Sequence, residues 1–435
     1  MKSENLAHGA LKHSDYRPRF IEERIAESLE DFGAACIQGV KYCGKTWTAQ
    51  AFANSETNLM DPAGNFQSLE IARMAPQMAL QGESPRLIDE WQEAPQLWDG
   101  VRNEIDRSGK RRTFLLTGSA VPREEKPKHS GVGRIEKLAM RTMSLAEAGA
   151  SSGAVSLAAL FKGKFPQAAA PETSLEDIID LVVRGGWPSL IDVPAKRAQR
   201  VARSYVGEIQ RDDLSRVDGV KRDPEKIARL MHSLARNAEQ ATKTKTIIGD
   251  MTAQDEEKPL SPDTVTDYLE ALKRIFVVEE IAPWAPNLRS PVRINKRPKY
   301  HYADPSIPAA ILKATPETLM GDLETLGFLF ECLCIRDLLV YAQAMDAEVF
   351  YYRDKSSLEA DAIIQAPSGA WAAIEIKLGH NKADEAAANL LALRDKITAA
   401  GGTEPAFLMA VEGLSAYAFQ REDGVFVAPI RTLTR

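Results

Sequence analysis

The pattern with the clearest chemistry is a phosphate-binding loop near the start of the chain. Eight consecutive residues fit the spacing G-x-x-x-x-G-K-T, and they are Gly39, Val40, Lys41, Tyr42, Cys43, Gly44, Lys45 and Thr46. Glycines let the backbone wrap closely around phosphate oxygens, while the loop amides and the following helix N-terminus stabilise negative charge. In this motif Lys45 reaches the β- and γ-phosphates and Thr46 binds Mg²⁺. The spacing predicts a nucleotide site, with ATP and Mg²⁺ as the expected ligands.

Two acids supply the second half of this prediction. Asp89 and Glu90 follow the short apolar pair Leu87-Ile88, which predicts the end of a buried strand. In ATPases of this type an acid at a strand end binds Mg²⁺, often through water. A neighbouring glutamate can polarise the attacking water. The alternative is a pair of solvated acids at a strand end.

Two further side chains have chemistry that suits a nucleotide site. Ser119 ends the next predicted strand, where a small polar residue can sense the γ-phosphate. Arg134 precedes the strand after that, and an arginine there can contact the γ-phosphate of a neighbouring subunit. The alternative for Arg134 is an exposed, solvated charge.

A second constellation lies in the last third of the chain. Asp361 and the pair Glu375-x-Lys377 are thirteen intervening residues apart, on two consecutive predicted strands. Residues i and i+2 of a strand point to the same face, so Glu375 and Lys377 project together, and Glu331 on the preceding helix can complete the cluster. Carboxylates that hold Mg²⁺ beside a lysine are suited to phosphodiester cleavage. The alternative is a nuclease-like fold used for structure or docking.

The elements that position these residues form several domains. Strands and helices alternate between residues 17 and 150, which predicts an α/β core with a parallel sheet, and two of its strands are expected at 86–90 and 139–145. Residues 151–222 are predicted to form a helical lid. Residues 304–435 show a second α/β pattern. Residues 1–16 are polar and are expected to form a flexible arm.

Residues 223–303 outline a winged helix-turn-helix. Three predicted helices, the third capped by Ser261, precede a strand and a basic stretch. That stretch carries Arg289, Arg293, Lys296, Arg297 and Lys299 beside Trp284, Tyr300 and Tyr302, which suits contact with DNA phosphates. The third helix, however, carries Asp263, Asp267 and Glu270, which is unfavourable for entry into the major groove. A winged helix that packs against protein is the alternative.

Composition sets limits on the class of protein. The chain has 435 residues, of which 44% are hydrophobic and 27% charged, with a net charge of −6. These values are typical of a soluble multidomain protein and argue against a globally basic nucleic-acid coat. No apolar run is long enough for a membrane span, and the four cysteines show no zinc-binding spacing. We expect a cytoplasmic protein with reduced thiols.

Taken in order, these motifs resemble a known family, the prokaryotic ATPases with an N-terminal AAA-type domain and a C-terminal DUF4143 domain. The matching segments are residues 39–46, 87–92, 116–119, 133–134, 140–145, 185–188 and 352–377. The resemblance implies an AAA+-like ATPase core, a winged helix and a C-terminal fold similar to PD-(D/E)xK nucleases. It also implies nucleotide and Mg²⁺ ligands at Lys45 and Thr46, an acidic motif at Asp89 and Glu90, a sensor at Ser119 and an arginine finger at Arg134. The short strand before Asp89 departs from the family pattern.

The sequence therefore predicts a Mg²⁺-dependent ATPase that acts as a nucleotide-driven switch on its winged-helix and nuclease-like domains. Two alternatives stay open. One is an ATP-gated DNA nuclease or DNA-binding protein that uses the C-terminal cluster. The other is a non-catalytic module that binds a protein partner in one nucleotide state.

Overall fold

The computed structural model describes residues 8–121, 130–214, 219–252, 260–287, 297–379 and 382–435. The chain divides into two compact units. The first comprises residues 1–142, 212–221 and 271–277, and the second comprises residues 143–211, 222–270 and 278–435. Residues 143–150, which we predicted to end the ATPase core, belong to the second unit.

The first unit is built on a parallel sheet of five strands. The strands are β1 (Ala34–Gln38), β2 (Ser55–Asn58), β3 (Arg86–Asp89), β4 (Phe114–Gly118) and β5 (Ile135–Ala139). They lie in the order β2-β3-β4-β1-β5. The helices are α1 (Ile21–Asp31), α2 (Lys45–Gln50), α3 (Gln67–Met74), α4 (Pro76–Ala79) and α5 (Gln96–Ser108). The central strands β1 and β4 are buried along their whole length, as parallel strands covered on both faces require. The predicted α/β core with a parallel sheet is confirmed.

The last strand of this sheet lies four residues earlier than predicted. We expected residues 139–145, whereas β5 ends at Ala139. Ile135 and Leu138 supply its buried side chains. The apolar residues that follow are buried in a loop, where the amide of Leu145 donates a hydrogen bond to Asp337 at 3.0 Å. A buried loop needs apolar residues, and in the sequence such a run cannot be distinguished from a strand.

The chain before α1 lies against the first unit from residue 8 onward. The amide of Gly9 donates to the carbonyl of Ala51 at 2.7 Å, and the ring of His13 stacks on Trp47 with centroids 4.2 Å apart. Backbone pairing and ring stacking therefore hold this segment, rather than leaving it as the flexible arm that we predicted. Residues 1–7 of that arm are outside the described residues.

The second unit contains a smaller two-stranded pair and a mixed sheet of seven strands. The pair joins β6 (Val155–Ser156) to β16 (Leu433–Thr434). The strands of the large sheet are β7 (Ala168–Ala169), β10 (Glu348–Arg353), β11 (Glu359–Gln365), β12 (Trp371–Lys377), β13 (Phe407–Glu412), β14 (Tyr417–Gln420) and β15 (Phe426–Pro429). Their order is β10-β11-β12-β13-β15-β14-β7. Strand β11 is antiparallel to both of its neighbours, β10 and β12, whereas β12, β13 and β15 run parallel.

Most helices of the second unit precede β10 in the chain, and the last of them lies between β12 and β13. They are α6 (Leu157–Leu160), α7 (Leu175–Arg184), α8 (Ala195–Glu208), α9 (Pro224–Arg236), α10 (Thr244–Met251), α12 (Ser306–Ile311), α13 (Pro316–Gly321), α14 (Leu323–Ala344) and α15 (Ala383–Ala399). Helix α11 (Pro262–Arg274) begins in this unit, and the antiparallel pair β8 (Val278–Ile281) and β9 (Lys299–Tyr302) follows it. The predicted cap of α11 is present, because the amide of Thr264 donates to Ser261 Oγ at 3.2 Å. Among the described residues no helix has the length and apolar character to cross a membrane.

Candidate functional site

The phosphate loop lies between β1 and α2, the strand–loop–helix order that the motif requires. Gly44 has a φ of 101°, a left-handed conformation that L side chains rarely adopt. A Cβ atom on Gly39 would lie only 2.0 Å from the carbonyl oxygen of Met140. The backbone therefore needs glycine at both ends of the loop.

The Lys45 ammonium is held by the loop itself. Its Nζ donates to the carbonyl oxygens of Gly39 and Val40, each at 2.9 Å, and the residue is 5% exposed. An ammonium forms stronger hydrogen bonds with anionic acceptors than with neutral carbonyl oxygens. Phosphate oxygens entering the loop can take the place of these carbonyls.

Thr46 and Asp89 meet at the end of β3. Thr46 Oγ1 donates to Asp89 Oδ1 at 3.0 Å, and the hydroxyl of Thr117 on β4 donates to the same oxygen. Burial raises the pKa of Asp89 from 3.8 to about 6, although the hydroxyls of Thr117 and Thr46 oppose the shift. A hydroxyl and a carboxylate in contact are hard oxygen donors of the kind that Mg²⁺ prefers. The pair fits the predicted Mg²⁺ site.

Glu90 is oriented by polar neighbours. Its backbone is left-handed, with a φ of 57°, and its amide donates to Thr117 Oγ1 at 3.2 Å. Its carboxylate accepts a hydrogen bond from Ser119 Oγ at 2.9 Å and another from the side-chain amide of Gln92. The structure thus brings together the two predicted residues Glu90 and Ser119, with Gln92 as a third partner.

Two charged side chains, those of Arg19 and Lys41, tie the loop to neighbouring segments. The Arg19 guanidinium donates to the carbonyl of Cys43 at 2.9 Å and to that of Arg141 at 2.8 Å. Lys41, at a variable position of the motif, forms an ion pair with Asp213. Cys43 is fully buried, which suits a packed side chain better than a reactive thiol.

Arg134 is not part of the site within its own chain. It precedes β5, and its carbonyl accepts from the amide of Ala34 at the start of β1, whereas the phosphate loop follows the end of β1. Its Nε donates to Asp106 Oδ1 at 2.7 Å, and the side chain is 44% exposed. A role for Arg134 in a neighbouring subunit stays a prediction.

The C-terminal constellation also comes together. The antiparallel register that pairs Ala362 with Ile374 sets Asp361 beside Glu375, and Asp361 Oδ2 accepts from the amide of Ile376 at 2.7 Å. Lys377 Nζ lies 3.0 Å from Glu375 Oε2. Burial, and then the charge of Asp361, raise the pKa of Glu375 from 4.5 to about 8.

Glu331 joins this cluster through Lys299, a residue that we predicted to contact DNA phosphates instead. Lys299 Nζ on β9 lies 3.2 Å from Glu331 Oε1, and their side chains are 11% and 16% exposed. Burial lowers the pKa of Lys299, but the charges of Glu331, Asp361 and Glu239 outweigh it, so the net shift is upward. The ammonium therefore persists and neutralises part of the carboxylate cluster, a role that a metal ion would otherwise fill.

Several residues predicted for a DNA-contacting wing are instead packed inside the second unit. Trp284 is 2% exposed and Tyr302 1%, and Lys299 is engaged with Glu331. Aromatic contacts contribute to this burial, since the ring of Trp284 packs against that of Trp371 at a tilt of 35° with centroids 4.7 Å apart. Of the remaining basic residues, Arg297 is exposed, and Arg289, Arg293 and Lys296 are outside the described residues.

Most residues that sequence reasoning missed have partners that are distant in the chain, whereas Gln92 contacts Glu90 two residues away. Thr117, Gln92 and Arg19 have no spacing signal of their own. Thr117 and Gln92 do stand next to recognised motif residues, which is the clue that could have found them. Lys299 was interpreted as a surface charge, because nothing local shows that its strand is buried.

The fold and the site define the class as a P-loop nucleoside-triphosphate-binding protein. Comparison with family models makes this more specific. Residues 31–149 match the model described as "AAA domain", and residues 326–433 match "Domain of unknown function (DUF4143)". The predicted resemblance to AAA-type ATPases with a C-terminal DUF4143 domain is confirmed. Residues 175–318 match "Domain of unknown function (DUF8612)", which spans most of the predicted lid and all of the predicted winged helix.

Solved structures give only distant similarities. A Walker-type ATPase of Pyrococcus abyssi is 15% identical, covers 69% of this chain and 97% of its own, and has a TM-score of 0.43. The ORC2 protein of Aeropyrum pernix, in ADPNP–ADP complexes, is 11% identical over 71% of this chain and 98% of its own, with a TM-score of 0.32. AMPPCP-bound DnaA from Aquifex aeolicus is 13% identical over 58% of this chain and 86% of its own, with a TM-score of 0.24. No curated protein sequence matches the chain.

The AAA-domain match and the geometry of the phosphate loop together support an ATP-binding protein of the ATPase class.

Proposed function

We propose that the chain is a Mg²⁺-dependent ATPase whose nucleotide state acts as a switch. The observation that carries the proposal is the convergence of Lys45, the contact of Thr46 with Asp89, and the contact of Glu90 with Ser119 at the ends of β1, β3 and β4. Each of these groups matches one requirement of ATP hydrolysis.

Lys45 would bind the β- and γ-phosphates, and Thr46 and Asp89 would hold Mg²⁺. When bound, Mg²⁺ neutralises charge that develops on the phosphate oxygens. Glu90 would accept the proton of the attacking water, with Ser119 and Gln92 orienting its carboxylate. Arg134 would act on the nucleotide of a neighbouring subunit, so turnover would rise with protein concentration if subunits associate.

The switch part of the proposal has support in Lys41 and Asp213. Asp213 follows α8 in the chain by five residues and pairs with a lysine of the phosphate loop. Nucleotide phosphates would compete with Asp213 for the Lys41 ammonium, because a multiply charged phosphate attracts it more strongly. Loss of the ion pair between Lys41 and Asp213 would free the segment that follows α8, so that its position would depend on whether nucleotide is bound.

The domains on which the switch would act are also proposals. The order of three helices α9, α10 and α11 followed by the antiparallel pair β8–β9 supports a winged helix. The order α14-β10-β11-β12-α15-β13, with Asp361 and Glu375 on adjacent strands, supports a nuclease-like fold.

A Mg²⁺-dependent phosphodiesterase is a second candidate function, favoured by the contact of Glu375 with Lys377 beside Asp361. Mg²⁺ would have to compete with the ammonium of Lys299 for these acids. DNA cleavage that needs Mg²⁺ and disappears in Glu375→Ala and Lys377→Ala would support this function. Cleavage that persists in both variants would point to a contaminating nuclease.

The test of the ATPase proposal compares wild type with Lys45→Ala and Glu90→Gln. We expect Lys45→Ala to lose ATP binding and Glu90→Gln to bind ATP without hydrolysing it. Lys110→Ala and Glu83→Gln are the matched controls, since both change charge at exposed positions of the same unit outside the contacts of the site. Equal turnover in Glu90→Gln would contradict the assigned base, and binding without turnover in wild type would leave a nucleotide-dependent binding module.

A further inference from the structure

A third group of chemically reactive side chains lies buried in the second unit, and the proposed function does not use it. Glu239 in the turn after α9, His301 on β9 and Cys332 on α14 are 2%, 0% and 0% exposed. Nδ1 of His301 lies 2.6 Å from Glu239 Oε1 and 3.9 Å from Cys332 Sγ. One oxygen, one nitrogen and one sulfur donor thus lie within 4.8 Å of one another.

The cluster is incompletely satisfied. Within the described part of the chain, Glu239 Oε2 and His301 Nε2 are buried without a hydrogen-bond partner. An unpaired carboxylate oxygen in the interior is costly, and a cation bound by both oxygens of Glu239 would remove that cost, while Nε2 of His301 would stay outside the site. Glu239 also has a φ of 58°, a left-handed backbone that is uncommon for glutamate and that holds its carboxylate at His301.

The donor set selects among metals. Thiolate and imidazole ligands favour zinc, whereas Mg²⁺ and Ca²⁺ favour oxygen alone. A tetrahedral zinc with bonds of about 2.0 Å to nitrogen and oxygen and about 2.3 Å to sulfur keeps its ligand atoms roughly 3.3–3.6 Å apart. The observed 2.6 and 3.9 Å distances would each have to change by less than about 1 Å to reach that geometry. The separation of the Glu239 oxygen from Cys332 Sγ, which is at most 4.8 Å, would have to become about 3.5 Å.

We propose that Glu239, His301 and Cys332 bind one zinc ion as a structural site. Binding would release the thiol proton of Cys332 to solvent, because thiolate is the ligand form. The fourth position would be filled by water or by the carbonyl oxygen of Tyr302, which lies 3.6 Å from Cys332 Sγ. Zinc would then fasten the turn after α9 to β9 and α14, all within the second unit.

The test uses the full chain, produced with zinc in the medium and dialysed against EDTA before its metal content is measured. We expect about one zinc per chain that resists EDTA in the native protein and is released only when urea unfolds it, because the ligands are buried. Refolding with Co²⁺ instead should give a thiolate-to-cobalt charge-transfer band. A folded wild type without EDTA-resistant zinc, or without the band, would overturn the proposal.

Matched variants locate the metal. Cys332→Ser and His301→Gln should each lose the retained zinc, whereas Cys334→Ser should keep it. Cys334 is the control because it is equally buried, two residues further along the same helix. If Cys332→Ser fails to fold, the proposal is tested by two other results. These are the zinc retained by His301→Gln and the cobalt charge-transfer band in wild type and Cys334→Ser. Equal zinc retention in His301→Gln and wild type would contradict the assignment.

Discussion

Replacing Asp89 by asparagine should stabilise the nucleotide-free protein while it weakens Mg²⁺-dependent nucleotide binding. Asp89 is 5% exposed, and its carboxylate lies close to Glu90 in a buried environment. An asparagine side chain at this position would keep the shape of the aspartate and one acceptor oxygen for the hydroxyls of Thr46 and Thr117. The substitution therefore removes a buried negative charge and leaves the packing in place.

The magnitude follows from the pKa of Asp89, which burial raises from 3.8 to about 6. Because the folded value lies above the unfolded one, the native state retains a proton between about pH 4 and pH 6 that the unfolded chain has lost. Stability due to this group is therefore present below about pH 4 and is lost as pH rises through 6. At pH 7 the loss amounts to about 3 kcal/mol, an upper limit for the gain expected in Asp89→Asn.

Thermal unfolding of nucleotide-free wild type and Asp89→Asn, followed by circular dichroism from pH 4 to pH 8, measures this difference. Each kcal/mol corresponds to about 2–4 °C in a unit of this size, so the variant should melt several degrees higher at pH 7 and about equally at pH 4. Asp31→Asn, an exposed aspartate of the same unit, is the control and should change little. A variant that melts lower than wild type at pH 7, or a difference independent of pH, would refute the reasoning.

Three further variants test other contacts of the structure. Lys299→Met leaves a buried carboxylate without its ammonium and should destabilise the protein by about 3–5 kcal/mol in urea unfolding. Ser119→Ala removes a hydrogen bond to Glu90 and should lower kcat about tenfold with little change in the Kd for ATP. Asp213→Asn frees Lys41 for phosphate and should tighten ATP binding, measured by titration with a fluorescent analogue, several-fold.

Each of these variants has a control of the same chemical type. Lys355→Met, Ser68→Ala and Asp212→Asn make the same changes at positions outside the contacts described. Unchanged stability in Lys299→Met would show that its buried pair contributes nothing. If Ser119→Ala changed the Kd for ATP as much as kcat, the proposed role of Ser119 in orienting Glu90 would be contradicted. Weaker ATP binding in Asp213→Asn would contradict the proposed competition between Asp213 and phosphate for Lys41.

The sequence was informative where a function depends on residues that are neighbours in the chain. The phosphate loop at residues 39–46 and the acids Asp89 and Glu90 are local motifs, and the structure places them together at the ends of β1 and β3, which lie on either side of β4. A strand that carries Glu375 and Lys377 was also predicted, and β12 is that strand, since a short apolar run is a local signal.

The sequence was less informative where burial depends on contacts between distant segments. The apolar residues after Ala139 are buried by a loop, so their pattern imitated a strand. Gly9 and Leu11 donate to the carbonyls of Ala51 and Ala53, which follow α2, and no side-chain pattern reports such pairing. Lysine is usually exposed, and only the fold shows that Lys299 is buried beside Glu331.

The proposed functional assignments differ in how directly they rest on geometry. ATP binding rests on groups in contact, namely Lys45 with its loop and Thr46 with Asp89. The phosphodiesterase alternative rests on a cluster whose charge is already partly compensated by Lys299. We therefore expect the phosphate loop to govern the activity of the chain.

Steady-state ATP hydrolysis by purified wild type and Lys45→Ala, with and without DNA, tests the central claim most directly. The proposal predicts Mg²⁺-dependent turnover in wild type and at least a roughly hundredfold loss in Lys45→Ala, about the effect of removing a charged group that contacts the transition state. Turnover that is equal in the two proteins, or ATP binding without any turnover in wild type, would contradict an ATPase and leave a nucleotide-binding module.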